Sequence, residues 1–156
     1  SFTAWSLFDV GTSFLGNNLT DLIRRNDPAT YDAVSLQEGP GANYVSFLYG
    51  TCVPVAEGGC PLPLEIQVSP ACSRPTGPQL VNGVDVGLPP DETLVVRGVG
   101  ATFYDEWTRL EISTGNAIVD IYGSSRTQLL QAANVLRGTN HIRSPQDPLP
   151  IPHACE

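Results

Sequence analysis

Residues 93–138 hold the pattern that most restricts the fold. Trp107-Thr108-Arg109-Leu110-Glu111-Ile112 and Ala117-Ile118-Val119-Asp120-Ile121-Tyr122 flank Ser113-Thr114-Gly115-Asn116. The first run alternates, putting Leu110 and Ile112 on one face and Arg109 and Glu111 on the other. Gly and Asn between the runs suit a tight reversal, where positive φ is cheap. This predicts a hairpin with one buried face. Upstream, Thr93–Arg97 reads as a strand, Gly98 and Gly100 break or bulge it, and Ala101–Tyr104 resumes. Asp105-Glu106 is the next turn. Downstream, Ser124 or Ser125 caps a helix expected to run through Arg137. Leu129, Ala133 and Leu136 form its apolar stripe, widened by Leu130 and Ala132, and Gly138 stands at its stop position. Strand, hairpin, strand, helix in that order places a helix on one face of an antiparallel sheet.

The first half carries fewer constraints. Leu15, Leu19, Leu22 and Ile23 recur at helical spacing, with Asn17 or Asn18 as N-cap, Arg24-Arg25 at the C-terminal end and Asn26-Asp27-Pro28 as a stop. A second helix is therefore expected there. Tyr44–Tyr49 is rich in aromatic and β-branched residues and Leu64–Val68 alternates with period two, so both read as strands that pair as a hairpin. Pro70, Pro75, Pro78, Pro89 and Pro90 exclude a central strand from most of 69–92. The expected fold class is α+β, an antiparallel β-sheet with one or two helices packed on it and stapled by disulfides. A single domain over 1–138 is expected to precede a Pro-rich tail, 139–156.

Four cysteines, Cys52, Cys60, Cys72 and Cys155, allow three pairings. The favoured one joins Cys52 to Cys60 across a short Pro/Gly loop and Cys72 to Cys155, pinning a tail otherwise without hydrogen bonds. No Cys-x-x-Cys occurs, so thioredoxin-type redox chemistry and a zinc ribbon are excluded. Two structural disulfides imply an oxidising compartment. The chain starts at Ser1, without a signal peptide, and is read as a processed, exported chain. Asn18-Leu19-Thr20 matches a glycosylation sequon and is read as chance in a bacterial product.

Sixteen Asp and Glu stand against eight basic residues, all Arg, for a net charge of −8. That balance excludes nonspecific nucleic-acid or anionic-lipid binding, which needs clustered cations. No apolar run approaches the roughly 20 residues of a membrane-spanning helix. Lysine-free, Gly- and Pro-rich composition is typical of a high-GC bacterial genome.

Motifs for common chemistries are missing: no Gly-x-Ser-x-Gly elbow, no phosphate loop, no dinucleotide fingerprint and no His-Glu-x-x-His. The two histidines, His141 and His153, fall in the Pro-rich C-terminal region and read as solvated. A metal site at His153 and Cys155 is disfavoured by its terminal position. The acidic pairs Asp91-Glu92 and Asp105-Glu106 sit at expected turns and read as solvated charges, with a two-carboxylate glycosidase as the competing reading. A calcium site at Asp85, Asp91 or Glu92 lacks EF-hand spacing. The expectation is no catalytic residue, no metal and no cofactor. Trp5, Trp107, Tyr44, Tyr49, Tyr104 and Tyr122 are core or cross-strand residues, or, where they point outward, a flat binding surface. Arg109 either projects outward or pairs across strands with Asp120.

Two stretches together carry a resemblance. The first is Tyr44–Cys52, Gly58-Gly59-Cys60, Pro63–Val68 and Ala71–Arg74; the second is Val95–Ala101, Arg109–Gly115 and Ala132–Gly138. They resemble uncharacterised extracytoplasmic proteins of high-GC bacteria, chiefly actinobacteria. The resemblance implies a secreted or membrane-tethered domain and no activity. The expected function is a noncatalytic extracytoplasmic binding or accessory module, partnered by another protein or a surface assembly. The alternatives are a secreted hydrolase using paired carboxylates and an extracytoplasmic small-ligand sensor.

Overall fold

A computed structural model describes residues 5–26, 30–32, 37–39, 43–52, 54, 56–71, 80–81, 84–85, 89–139 and 148–154. The strands are β1 (Phe8–Asp9), β2 (Ser13–Phe14), β3 (Asn17–Asn26), β4 (Thr30–Asp32), β5 (Gln37–Gly39), β6 (Asn43–Tyr49), β7 (Leu64–Pro70), β8 (Leu80–Val81), β9 (Val84–Asp85), β10 (Glu92–Val96), β11 (Val99–Tyr104), β12 (Arg109–Thr114), β13 (Ala117–Tyr122) and β14 (Arg137–Gly138), with helix α1 (Arg126–Val135) before β14. Eight strands form one antiparallel sheet in the order β10-β11-β12-β13-β7-β6-β3-β2. The β13–β7 pair joins the late meander to the early one. The expected α+β class, with its helix on an antiparallel sheet and a disulfide, is what the chain adopts.

One face of the sheet is the core. Val45, Phe47, Tyr49, Leu64, Ile66, Val68, Phe103, Leu110, Ile112, Val119 and Ile121 alternate inward along five strands, and Leu129, Ala132, Ala133 and Leu136 of the helix region cover them. At about 25 cal/mol per Å² of apolar surface removed from water, this face supplies most of the driving force. Ser125 caps α1, accepting from Gln128 N at 3.3 Å, and Gln128 Oε1 accepts from Ser124 N at 2.7 Å. Arg126 grips Glu92 through two contacts of 2.8 Å and lies over the Phe103 ring. At the other end Arg97 Nη1 donates to the Ala133 and Leu136 carbonyls, so a cation satisfies the helix C-terminus. Helix α1 is thus clamped at one end to the edge strand β10 and at the other to the loop that follows it.

Five expectations are corrected. The helix over Leu15–Arg25 is instead strand β3, paired with β6 from Leu19↔Tyr49 to Asn26↔Asn43. An isolated helix of that length is marginal in water, and seven cross-strand partners outweigh its apolar spacing. Leu15 lies in the reversal before β3 at φ +47, with Gly16 at +80. Second, of the break or bulge expected at Gly98 and Gly100, the break holds but begins one residue earlier: β10 ends at Val96, Arg97-Gly98, with φ of +48 and +88, form a two-residue hairpin loop, and Gly100 lies inside β11. Third, Trp107 is in a turn, and β12 begins at Arg109, because Tyr104 pairs with Arg109 and leaves four residues to reverse the chain. Fourth, α1 ends at Val135, and Arg137-Gly138 pairs as β14 with Phe8-Asp9 rather than stopping the helix. Fifth, backbone hydrogen bonds do hold the C-terminal segment. Leu149 N donates to Arg97 O at 3.1 Å, Gly115 N to Pro150 O at 3.1 Å and His153 N to Gly115 O at 2.8 Å. Leu149 is buried in the core cluster.

Cys52 and Cys60 form the expected disulfide across the β6–β7 loop, with Cα atoms 4.9 Å apart. Closing a loop this short contributes about 2.5 kcal/mol in the chain-entropy model. Cys72 and Cys155 lie outside the described residues. Among the described residues, no helix is long and apolar enough to cross a membrane.

Tyr49 locks the N-terminal segment to the sheet. Its side chain is wholly buried; its hydroxyl donates to Gly11 O at 2.9 Å and accepts from Val10 N at 3.3 Å. Burial pushes its pKa up to about 12 against the opposing hydrogen bond from Val10, with the nearby Asp9 charge adding to the rise.

Candidate functional site

The face opposite the helix is polar. Where β11, β12 and β13 run side by side, Tyr104 faces Arg109, and Arg109 faces Tyr122. One residue pair further along, Thr102 faces Glu111 and Glu111 faces Asp120. The Arg109 guanidinium sits 5.1 Å from the Tyr104 ring centroid and 6.0 Å from that of Tyr122. Its Nε donates to Asp120 Oδ1 at 3.0 Å and its Nη2 to Glu111 Oε2 at 2.9 Å. Burial works against the charge on Arg109. The charge and hydrogen bond of Asp120, then Tyr122 and Glu111, outweigh it and raise the pKa. Asp120 has no solvent exposure. Burial also raises the pKa of the Tyr104 hydroxyl, with the Glu111 charge adding to it.

The turn between Tyr104 and Arg109 is strained. Asp105, Glu106 and Trp107 have φ of +56, +56 and +60, three consecutive non-glycine residues in the left-handed region. Each costs about 1–2 kcal/mol relative to ordinary backbone. Asp91 Oδ2 accepts from Trp107 N at 3.1 Å, and Thr108 N and Oγ1 both donate to Asp105 O. These contacts hold the turn against its preference, and Trp107 stays 40% exposed. Strained backbone of this kind collects where a chain presents side chains for recognition. Replacing Glu106 with Gly relieves one such residue. Glu106→Gly is expected to raise the unfolding free energy by about 1 kcal/mol, read from urea denaturation; a loss of stability would show that the turn is not strained.

The two acidic pairs separate. Asp105 and Glu106 are exposed on this turn. Asp91 fixes the Trp107 amide, while Glu92 on β10 is tied to Arg126, whose hydrogen bond lowers the Glu92 pKa. The carboxylates brought face to face are instead Glu111 and Asp120. They were legible in principle: a reversal at Gly115-Asn116 mirrors 111 onto 120 and 109 onto 122. In a two-carboxylate hydrolase, substrate and water occupy the space between the acids. Here the Arg109 guanidinium fills it, within 3.0 Å of both.

Of the aromatics, Trp5 and Tyr49 are core, Tyr44, Tyr104 and Tyr122 are half-buried on the polar face, and Trp107 is exposed. Asp85 lies in β9, its side chain outside the described residues, as is His141. His153 is exposed on the docked C-terminal segment. Among the described residues, no three His, Cys, Asp or Glu side chains group as metal ligands. No known protein family, curated protein or solved structure matches the chain.

Proposed function

We propose that the chain is a noncatalytic binding module of bacterial origin, working outside the cytoplasm as a secreted or surface-assembly component. It engages another protein through the Trp107 turn and the adjoining Tyr104–Arg109–Tyr122 stack. The observation that carries this reading is the run of left-handed residues at 105–107, which gives up stability to present an indole. Trp, Tyr and Arg are the residues on which interface energy concentrates. Here the Arg is already immobilised between two rings and two carboxylates, so binding would lose little side-chain entropy there. The Cys52–Cys60 bridge supports the compartment. The Arg109 plug between Glu111 and Asp120 favours a binding role over carboxylate hydrolysis.

A benzophenone side chain placed at Trp107 in producing cells is expected to give a discrete protein adduct. The same probe at Gln131, exposed on α1, is expected to give none. Equal adducts from both positions, or none from Trp107, would overturn the binding site. Four alkylatable thiols before reduction would overturn the compartment.

A further inference from the structure

Strand β3 has a long outer edge. It pairs with β6 along one side, but β2 meets it only at Asn17 and Asn18, and Leu19 N donates to Thr12 O just beyond. From Thr20 to Asn26, no strand among the described residues pairs on that side, and all seven residues are exposed. Leu22 and Ile23 are 52% and 40% exposed. An exposed edge of this length is a pairing template.

We infer that this edge pairs with the same edge of a second copy of the chain, antiparallel about a two-fold axis through Ile23. Charge order selects that partner and that register. A two-fold axis perpendicular to a sheet keeps each face on its own side, so only residues of the same face can oppose one another. Centring on Ile23 pairs Asp21 with Arg25, Leu22 with Arg24 and Ile23 with itself, while Thr20, set apart by a bulge and bonded through its hydroxyl to Leu48 O and Gly50 O, stays outside the ladder. Asp21 then meets Arg25 of the other copy twice, by symmetry, and opposite charges directly across a ladder attract. Ile23 buries against its own copy at the axis. On the other face the aliphatic stem of Arg24 covers Leu22.

Other registers are worse. Centring on Arg24 opposes two guanidinium groups, and centring on Leu22 takes Arg25 away from Asp21. Parallel in-register pairing would stack Asp21 on Asp21 and Arg25 on Arg25. Edge charges normally prevent strand pairing. Here the two signs sit symmetrically about Ile23, so they reject the parallel arrangement and favour one antiparallel one. Arg25 also reaches the Tyr44 hydroxyl at 3.5 Å, which keeps it on the face where Asp21 of the second copy would arrive. A five-residue ladder is a small interface, so the dimer should be weak and concentration-dependent.

Sedimentation velocity of the whole chain over a concentration series tests this. The native chain is expected to show reversible dimers that weaken as salt rises. Asp21→Arg alone, or Arg25→Asp alone, places like charges opposite one another and should weaken association at least about tenfold. The Asp21→Arg/Arg25→Asp double variant should restore it, and an equimolar mixture of the two single variants should form a heterodimer. Ile23→Cys should cross-link on mild oxidation, since residues facing across an antiparallel ladder have Cα atoms about 4.5–5.5 Å apart. A native chain that stays monomeric up to about 1 mM overturns the inference. So does a dimer that survives both single charge reversals, or one whose double variant and variant mixture fail to reassociate. The Trp107 reading stands or falls separately, because its probe lies on the opposite half of the sheet.

Discussion

Replacing Arg109 with methionine is expected to lower the unfolding free energy by about 3 kcal/mol or more. The stem is kept and the guanidinium removed, so the loss reports the charge and its hydrogen bonds more than packing. Asp120 has no solvent exposure and accepts from Arg109 Nε at 3.0 Å. Without that cation it is a buried carboxylate that has lost its counter-charge, while Glu111, 25% exposed, can turn to water. The asymmetry predicts unequal effects: Glu111→Gln should cost no more than about 1 kcal/mol. An Arg109→Met/Asp120→Leu double variant should recover much of the loss, because removing both partners leaves no buried charge behind. Urea unfolding followed by tryptophan fluorescence measures all of these. A loss below about 1 kcal/mol for Arg109→Met would mean that the triad contributes no more than a surface pair.

That triad shows what was legible in the chain and what was not. The alternation in Arg109–Ile112 and the Gly115-Asn116 reversal give both the faces and the register of β12 and β13. The Arg109–Asp120 pair follows from them, as do the helix stripe and the β6–β7 hairpin with its disulfide. These depend on contacts close in sequence. The complete burial of Asp120 does not, because β7, some fifty residues upstream, forms its other neighbour. Strand β3 was hidden for a similar reason. Its apolar spacing fits a helix as well as a strand, and only β6, some twenty residues on, decides between them. The left-handed run at Asp105–Trp107 runs against the propensity of Glu106 and Trp107, and only Asp105 tolerates it readily. Local preference therefore argues for any other conformation, and only the fixed ends Tyr104 and Arg109, with Asp91 beneath, impose this one. Where local and long-range terms agree, the fold is readable; where they conflict, the chain has built its most unusual surface features, the open edge and the strained turn.

Tyr49 supplies the second large effect, and it is pH-dependent. Its folded pKa of about 12 lies above the ordinary value of 10.0, because its ring and hydroxyl are buried under the N-terminal segment. With a raised folded pKa, the protonated phenol is the form that stabilises the fold. The contribution is complete below pH 10. It declines as pH rises from 10, where the unfolded chain ionises, and is lost once pH passes about 12. Two pH units correspond to roughly 2–3 kcal/mol. Stability should therefore fall steeply between these limits. Ionisation also removes the proton donated to Gly11 O, so the N-terminal segment, with Trp5 and Phe8 in the core cluster, should release first. Tyr49→Phe should lower stability near neutral pH by about 1–2 kcal/mol, since the Val10 amide and Gly11 carbonyl lose a buried partner. The same variant should flatten the decline between pH 10 and 12. Absorbance titration at alkaline pH, with denaturation at each step, measures both. If all five tyrosines ionise together near the ordinary value, or if the native and Tyr49→Phe chains keep the same alkaline slope, Tyr49 is not the clamp on this segment.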